Sequence, residues 1–123
     1  MKKKEKQKFK NELQSIHDYY EGIIALMPGH VYWLDRNNIF LGCNDLQAKN
    51  AQFSSRKDIV GKRNIDISGF VMPEVLDPVN QMVISQGKTI TTEEPAMLLD
   101  GTKAVFLSNK APLYNSDGKI IGM

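Results

Sequence analysis

Apolar positions change period three times along the chain. From Phe9 they fall at Phe9, Leu13, Ile16, Tyr20, Ile23 and Met27, in alternating steps of four and three. That is a heptad seam, which keeps one apolar stripe of a helix turned toward a partner. Pro28-Gly29 ends it. Two partners would bury the stripe equally well: the same seam of a second copy, or the sheet of the helix's own domain. Val31 to Leu34 and Ile39 to Leu41 are β-branched or aromatic-rich runs flanking Asp35-Arg36-Asn37-Asn38. Side chains of those types bond their own backbone and tolerate positive φ, so a β-hairpin is predicted. Asn44 stands three residues before Gln47, and Ser55 three before Asp58. Both pairs have the spacing of reciprocal helix caps, which predicts two short helices after the hairpin.

The period then returns to that of a helix. Met72, Val75, Leu76, Val79, Met82 and Val83 recur between Pro73, suited to a first turn, and Gly87, suited to a C-terminal cap. Pro78 should bend this helix or delay its start. Arg63 to Phe70 reads as short and irregular, since Ser68-Gly69 argues against a long helix. Thr89 to Leu99, Lys103 to Tyr114 and Lys119 to Met123 read as three strands joined at Asp100-Gly101 and Asp117-Gly118. The order predicts an α+β fold: a five-stranded antiparallel sheet with short helices and one longer helix on one face, preceded by an N-terminal amphipathic helix.

Several of these segments resemble a PAS domain, the sensory module found upstream of bacterial histidine kinases and related outputs. The matching stretches are VYWLDRNN with its turn Asp35, FLGCN ending at Asn44, DLQAKNAQF, and SSRKDIVGK ending at Gly61-Lys62. NKAPLYNSDGKIIGM is similar to the last PAS hairpin, with Pro112 and Asp117-Gly118 in place. The PGHVYW opening looks most like the PAS modules of two-component sensor histidine kinases. The resemblance covers roughly Pro28 to Met123. It implies residues 1–27 as a signalling helix that often dimerises and 28–123 as the sensor domain. It also implies a non-catalytic role: relaying a ligand or partner signal to a kinase output domain of the same polypeptide. A diguanylate cyclase or a transcription regulator is the alternative parent. A PAS last strand would run beyond Ile120-Ile121-Gly122-Met123, so a shortened final strand is expected.

Composition narrows the picture further. With 123 residues, 41% of them hydrophobic, the chain can bury one core. No run of eighteen apolar residues and no signal-peptide pattern occurs, so no membrane span and a cytoplasmic location are expected. One Cys excludes an internal disulfide and a multi-cysteine zinc site. The net charge of +2 conceals a basic start: Met1 to Lys10 carry six lysines and one Glu, leaving 10 basic and 13 acidic residues elsewhere. Such a tail could touch anionic lipid or nucleic acid, but only one aromatic, Phe9, stands among the lysines. A solvated helix start, with no nucleic-acid partner, is the favoured reading.

The chemistry-bearing residues are few. His17, in HDYYEG, lacks the surroundings of a phosphoacceptor histidine and reads as a surface helix residue. His30, beside the Pro28-Gly29 turn, lacks a sequence-close metal-ligand partner and reads as a polar capping group. The resemblance disfavours haem and flavin: haem-binding PAS domains often take a His from the long helix, which has none here, and Cys43 ends a strand in LGCND, away from the flavin-adduct cysteine of light-sensing relatives of PAS. A lone Cys of that kind reads as a small hydrophobe. Glu93 and Glu94, adjacent on a strand, face opposite ways and cannot act as a carboxylate pair; both read as exposed edge charges. No phosphate-loop, dinucleotide, zinc-protease or nucleophile-elbow motif occurs. A small α+β enzyme using Asp35 or His30 as base is the other function class, and it needs a pocket that brings them together. Tyr32, Trp33, Leu41, Cys43, Phe70, Met72, Val79, Met82 and Val83 are the candidates for lining a ligand cavity between sheet and long helix. The alternative is that they fill the core completely. A homodimer through Phe9, Leu13, Ile16, Tyr20, Ile23 and Met27 is the favoured assembly.

Overall fold

The Asp35 carboxylate builds the first turn. In the computed structural model, which describes residues 2–67, 73–98 and 100–123, its Oδ1 accepts from the backbone N–H of Asn37 at 2.8 Å and of Ile39 at 3.1 Å. Asn38 supplies the left-handed residue, with φ of 62°. β1 (Tyr32–Leu34) and β2 (Phe40–Cys43) are thereby joined antiparallel. Trp33 pairs with Gly42 but Leu34 with Phe40, so Leu41 is the extra residue of a bulge. A Cβ at Gly42 would collide with the Trp33 indole, which lies across that strand.

Asn44 ends β2 and starts α2 (Asp45–Asn50). Its Oδ1 accepts from Gln47 N–H at 3.0 Å and from Val31 N–H at 3.3 Å, while its Nδ2 donates to Gly29 O at 2.8 Å. One buried side chain therefore caps a helix and fixes the entry to the hairpin. The Ser55 and Asp58 reciprocal cap opens a 3-10 turn, Arg56–Ile59, where an ordinary short helix was expected. A second such turn spans Asn64–Asp66. α3 (Pro73–Gln86) starts at Pro73 and carries Pro78 within it, so Pro78 does not delay the helix. Its buried residues are Asn80, Val83 and Ile84.

The expected five-stranded sheet is not formed; three two-stranded antiparallel ladders take its place. Besides β1 with β2, β3 (Ile90–Met97) pairs with β4 (Lys103–Lys110), and β5 (Leu113–Tyr114) with β6 (Ile120–Gly122). The expected strand Lys103 to Tyr114 breaks at Ala111-Pro112, because proline has no N–H to give a ladder. β6 is nevertheless tied to β1: Leu34 N–H donates to Met123 O at 2.8 Å, and Met123 N–H to Leu34 O at 3.1 Å. Gly122 permits this approach, since a Cβ there would strike the Leu34 carbonyl oxygen. Between ladders and helices lies the core, with Leu34, Phe40, Ile59 and Val83 at 2% exposure or less.

α1 (Lys3–Leu26) has no buried residue. It meets the body through its last two turns. Tyr20 packs edge-on against Trp33 with ring centroids 6.3 Å apart, and Glu21 accepts from Arg56 Nε at 2.9 Å. Arg56 also donates from Nη1 to Asp45 at 2.9 Å, so one guanidinium fastens α1 to the start of α2. Folding of the whole seam back onto its own sheet is therefore not seen: Phe9, Leu13, Ile16 and Ile23 are each more than half exposed. Among the described residues, no helix is long and apolar enough to cross a membrane.

Candidate functional site

A cavity of about 930 Å³, open along one side, lies where these elements meet. The end of α1 and the loop after it contribute Tyr20, Ile24, Met27 and His30; β1 contributes Tyr32 and Trp33. Gln47 and Asn50 from α2, and Asn64 from the second 3-10 turn, bring three carboxamides. The β3–β4 hairpin supplies Glu94, Phe106 and Lys110, and Met123 adds the end of the last ladder.

Helical and strand geometry explain why these side chains converge. Gln47 and Asn50 are three apart on α2 and so share a face. On β3, Glu94 is buried while Glu93 and Pro95 are exposed, the period-2 alternation of a strand with one covered face. Lys110, at the last position of β4, is 3% exposed. Its ammonium donates to Asn80 Oδ1 at 2.9 Å and sits 2.9 Å from Glu94 Oε1. The second contact lacks hydrogen-bond alignment, so Glu94 Oε1 is held by charge alone. Burial first, and the Glu94 carboxylate second, push the Tyr32 hydroxyl above the usual phenol range. It therefore stays an O–H donor at neutral pH.

The sequence-derived candidates divide. Tyr32 and Trp33 line the cavity. Leu41 does not, because the bulge leaves it 47% exposed. Met82 is 44% exposed, on the opposite side of α3 from Asn80, Val83 and Ile84. Val83 is wholly buried in the core, Val79 is half-buried on α3, and neither lines the cavity. Cys43 is a core thiol as well: its Sγ donates to Arg56 O at 3.9 Å, and burial followed by the nearby Asp45 charge pushes it up to about 11. A group held protonated in this way supplies no thiolate at neutral pH. Phe70 and Met72 lie outside the described residues. The expectation that Glu94 is an exposed edge charge is overturned by its ion pair with Lys110. Asp35 is committed to its turn. Lys110, Glu94 and the carboxamides of Gln47, Asn50 and Asn64 were not identified from the sequence. The one signal available in the sequence was that Gln47, the capping partner of Asn44, stands three residues before Asn50 and so shares its helix face.

No protein-family model and no curated protein matches the chain. Solved structures do. The VqmA–ligand–DNA complex of Vibrio cholerae is 22% identical, with a TM-score of 0.70 over 89% of this chain and 47% of that one. The PAS domain of a Colwellia psychrerythraea protein is 18% identical, with a TM-score of 0.61 over 87% and 90%. A domain of a sensory box sensor histidine kinase/response regulator from Geobacter sulfurreducens is 14% identical, with a TM-score of 0.58 over 89% and 93%. The chain spans about half the length of the VqmA chains it matches. At these identities the likeness concerns the fold, and the fold is that of a PAS domain.

Proposed function

We propose that this chain is a non-catalytic sensory module of a signal-transduction protein, holding a small molecule in the cavity and passing its occupancy to an output domain through α1. One observation carries the reading: Tyr20, Ile24 and Met27, the last turns of the helix, are themselves part of the cavity wall. A ligand that displaces or tightens that wall acts on the helix directly, without an intervening relay. Residues 1–27 then serve as the signalling helix and 28–123 as the sensor. Two copies associate through the exposed seam of Phe9, Leu13, Ile16 and Ile23, while Tyr20 and Met27 stay with their own domain.

For the output, a two-component sensor histidine kinase is the first reading, supported by the PGHVYW resemblance and the Geobacter neighbour. A DNA-binding regulator is the second, favoured by the higher TM-score of the VqmA complex, whose name records both ligand and DNA. Native mass spectrometry of the purified chain, with and without denaturation, tests the central claim. A small molecule released on unfolding supports it. Purification from several hosts with no bound molecule, and no stabilisation by a broad metabolite set, removes it.

A further inference from the structure

Little holds α1 to the rest of the molecule, since none of its 24 residues is buried. Its aromatic attachment is the edge-on Tyr20–Trp33 pair, and Ile24, facing the cavity, is half-buried. Its polar attachment is the 2.9 Å bond from Arg56 Nε to Glu21 Oε2; among the described residues no other hydrogen bond or ion pair joins α1 to the body. An aromatic pair or a surface ion pair shifts an equilibrium by about tenfold or less. With Arg56 and Glu21 30% and 26% exposed, the ion pair belongs to the weaker class. Contacts of this size leave the docked and undocked positions of α1 close in free energy, so a single side chain can decide between them.

Arg56 has a fixed base and a head that a second helix aims. It opens the 3-10 turn capped by Ser55 and Asp58, and its carbonyl accepts from the Cys43 thiol of the core. Its Nη1 donates to Asp45 Oδ1 at 2.9 Å, and because the guanidinium is planar that bond orients the Nε–H toward Glu21. Without Asp45, Glu21 alone would have to order the whole arginine side chain, at an entropic cost comparable to the bond it gains. Asp45 is the first residue of α2, whose Gln47 and Asn50 line the cavity. A shift of α2 therefore changes where the guanidinium points.

We propose that Arg56 is the latch of a two-position helix: engaged by both Asp45 and Glu21 it keeps the end of α1 on β1, and loss of either carboxylate lets α1 leave the sensor body. Asp45 thus acts on α1 without a bond to it. The latch gives α2 its own route to the helix, beside the direct wall contact of Tyr20, Ile24 and Met27. It goes beyond the sensory reading above, because it operates whether or not the cavity is filled.

Nuclear magnetic resonance spectra of the 123-residue chain at one protein concentration test this with no ligand present. The reporter is the Trp33 indole N–H signal, which the Tyr20 ring shifts while α1 is docked. Glu21→Gln and Arg56→Gln should each move that signal along one line toward the undocked position, raising the undocked-to-docked ratio about fivefold, and the double variant should move it no further than either single. Asp45→Asn should move it along the same line by about twofold. Raising sodium chloride from about 0.05 to 0.5 M should shift the wild-type signal the same way and leave Arg56→Gln where it is. Backbone amide signals of β3 and β4, remote from α1, should stay in place, which shows that the variants keep the body folded. A Trp33 signal unmoved by Glu21→Gln and Arg56→Gln overturns the latch and leaves α1 held by apolar contact alone. A signal that moves in those two but not in Asp45→Asn overturns the part given to Asp45 and α2. A salt response that persists in Arg56→Gln assigns the docking to other charges and overturns the proposal as well.

Discussion

Replacing Lys110 with Met should be among the most damaging single changes in the β3–β4 hairpin. The ammonium lies 2.9 Å from Glu94 Oε1, with the two side chains 2% and 10% exposed. At that separation and an effective dielectric constant near 20, the gross attraction is about 6 kcal/mol. Removing both ions from water costs several kcal/mol each, so the intact pair adds little net stability. Deleting one partner is different, because it leaves the Glu94 carboxylate buried with no counter-charge. That costs about 3–5 kcal/mol. Asn80 Oδ1 loses its donor in the same step, for about 1 kcal/mol more. Urea unfolding at pH 7 should thus show Lys110→Met less stable by about 4–6 kcal/mol, a large share of the roughly 5–15 kcal/mol a domain possesses. The double variant Lys110→Met, Glu94→Leu should recover most of that loss, since no unpaired charge remains. A single variant costing under about 1 kcal/mol, or a double variant whose loss is the sum of the two singles, would refute the reasoning.

Three further outcomes are expected. Asn44→Ala removes the α2 cap together with the bonds to Gly29 and Val31, and should lower the unfolding free energy by about 2–4 kcal/mol in denaturant titration. Cys43 has its folded thiol raised to about 11, above its unfolded value, so the stability it contributes is complete below about pH 9 and is lost as pH climbs toward 11. Wild type should lose about 2 kcal/mol more than Cys43→Ala between those limits; parallel pH profiles would contradict the assignment. Ile16→Asp with Ile23→Asp should shift the sedimentation profile toward monomer without changing the melting temperature of the sensor body, since both side chains are exposed.

Local chemistry was the legible part of this sequence. The Asp35 turn, the Asn44 cap and the Ser55 and Asp58 pair are each decided by side chains bonding backbone within a few residues, so spacing alone reveals them. The sheet was less legible because its continuity depends on long-range approach: Pro112 interrupts one strand, while Gly122 lets the last ladder touch β1. The site was the least legible. Alternation showed that Glu93 and Glu94 face opposite ways, but which one turns inward depends on Lys110, sixteen residues downstream. Likewise, Gln47, Asn50 and Asn64 have the composition of surface residues, and only the tertiary fold gives them a covered position.

Trp33 is the chain's single tryptophan, and it touches Tyr20 of α1, lies over Gly42 of β2 and borders the cavity. Its indole emission therefore needs no added dye to follow two events at once, filling of the void and loosening of the helix. Quenching by acrylamide would separate them, since a bound guest shields the ring and an undocked helix uncovers it.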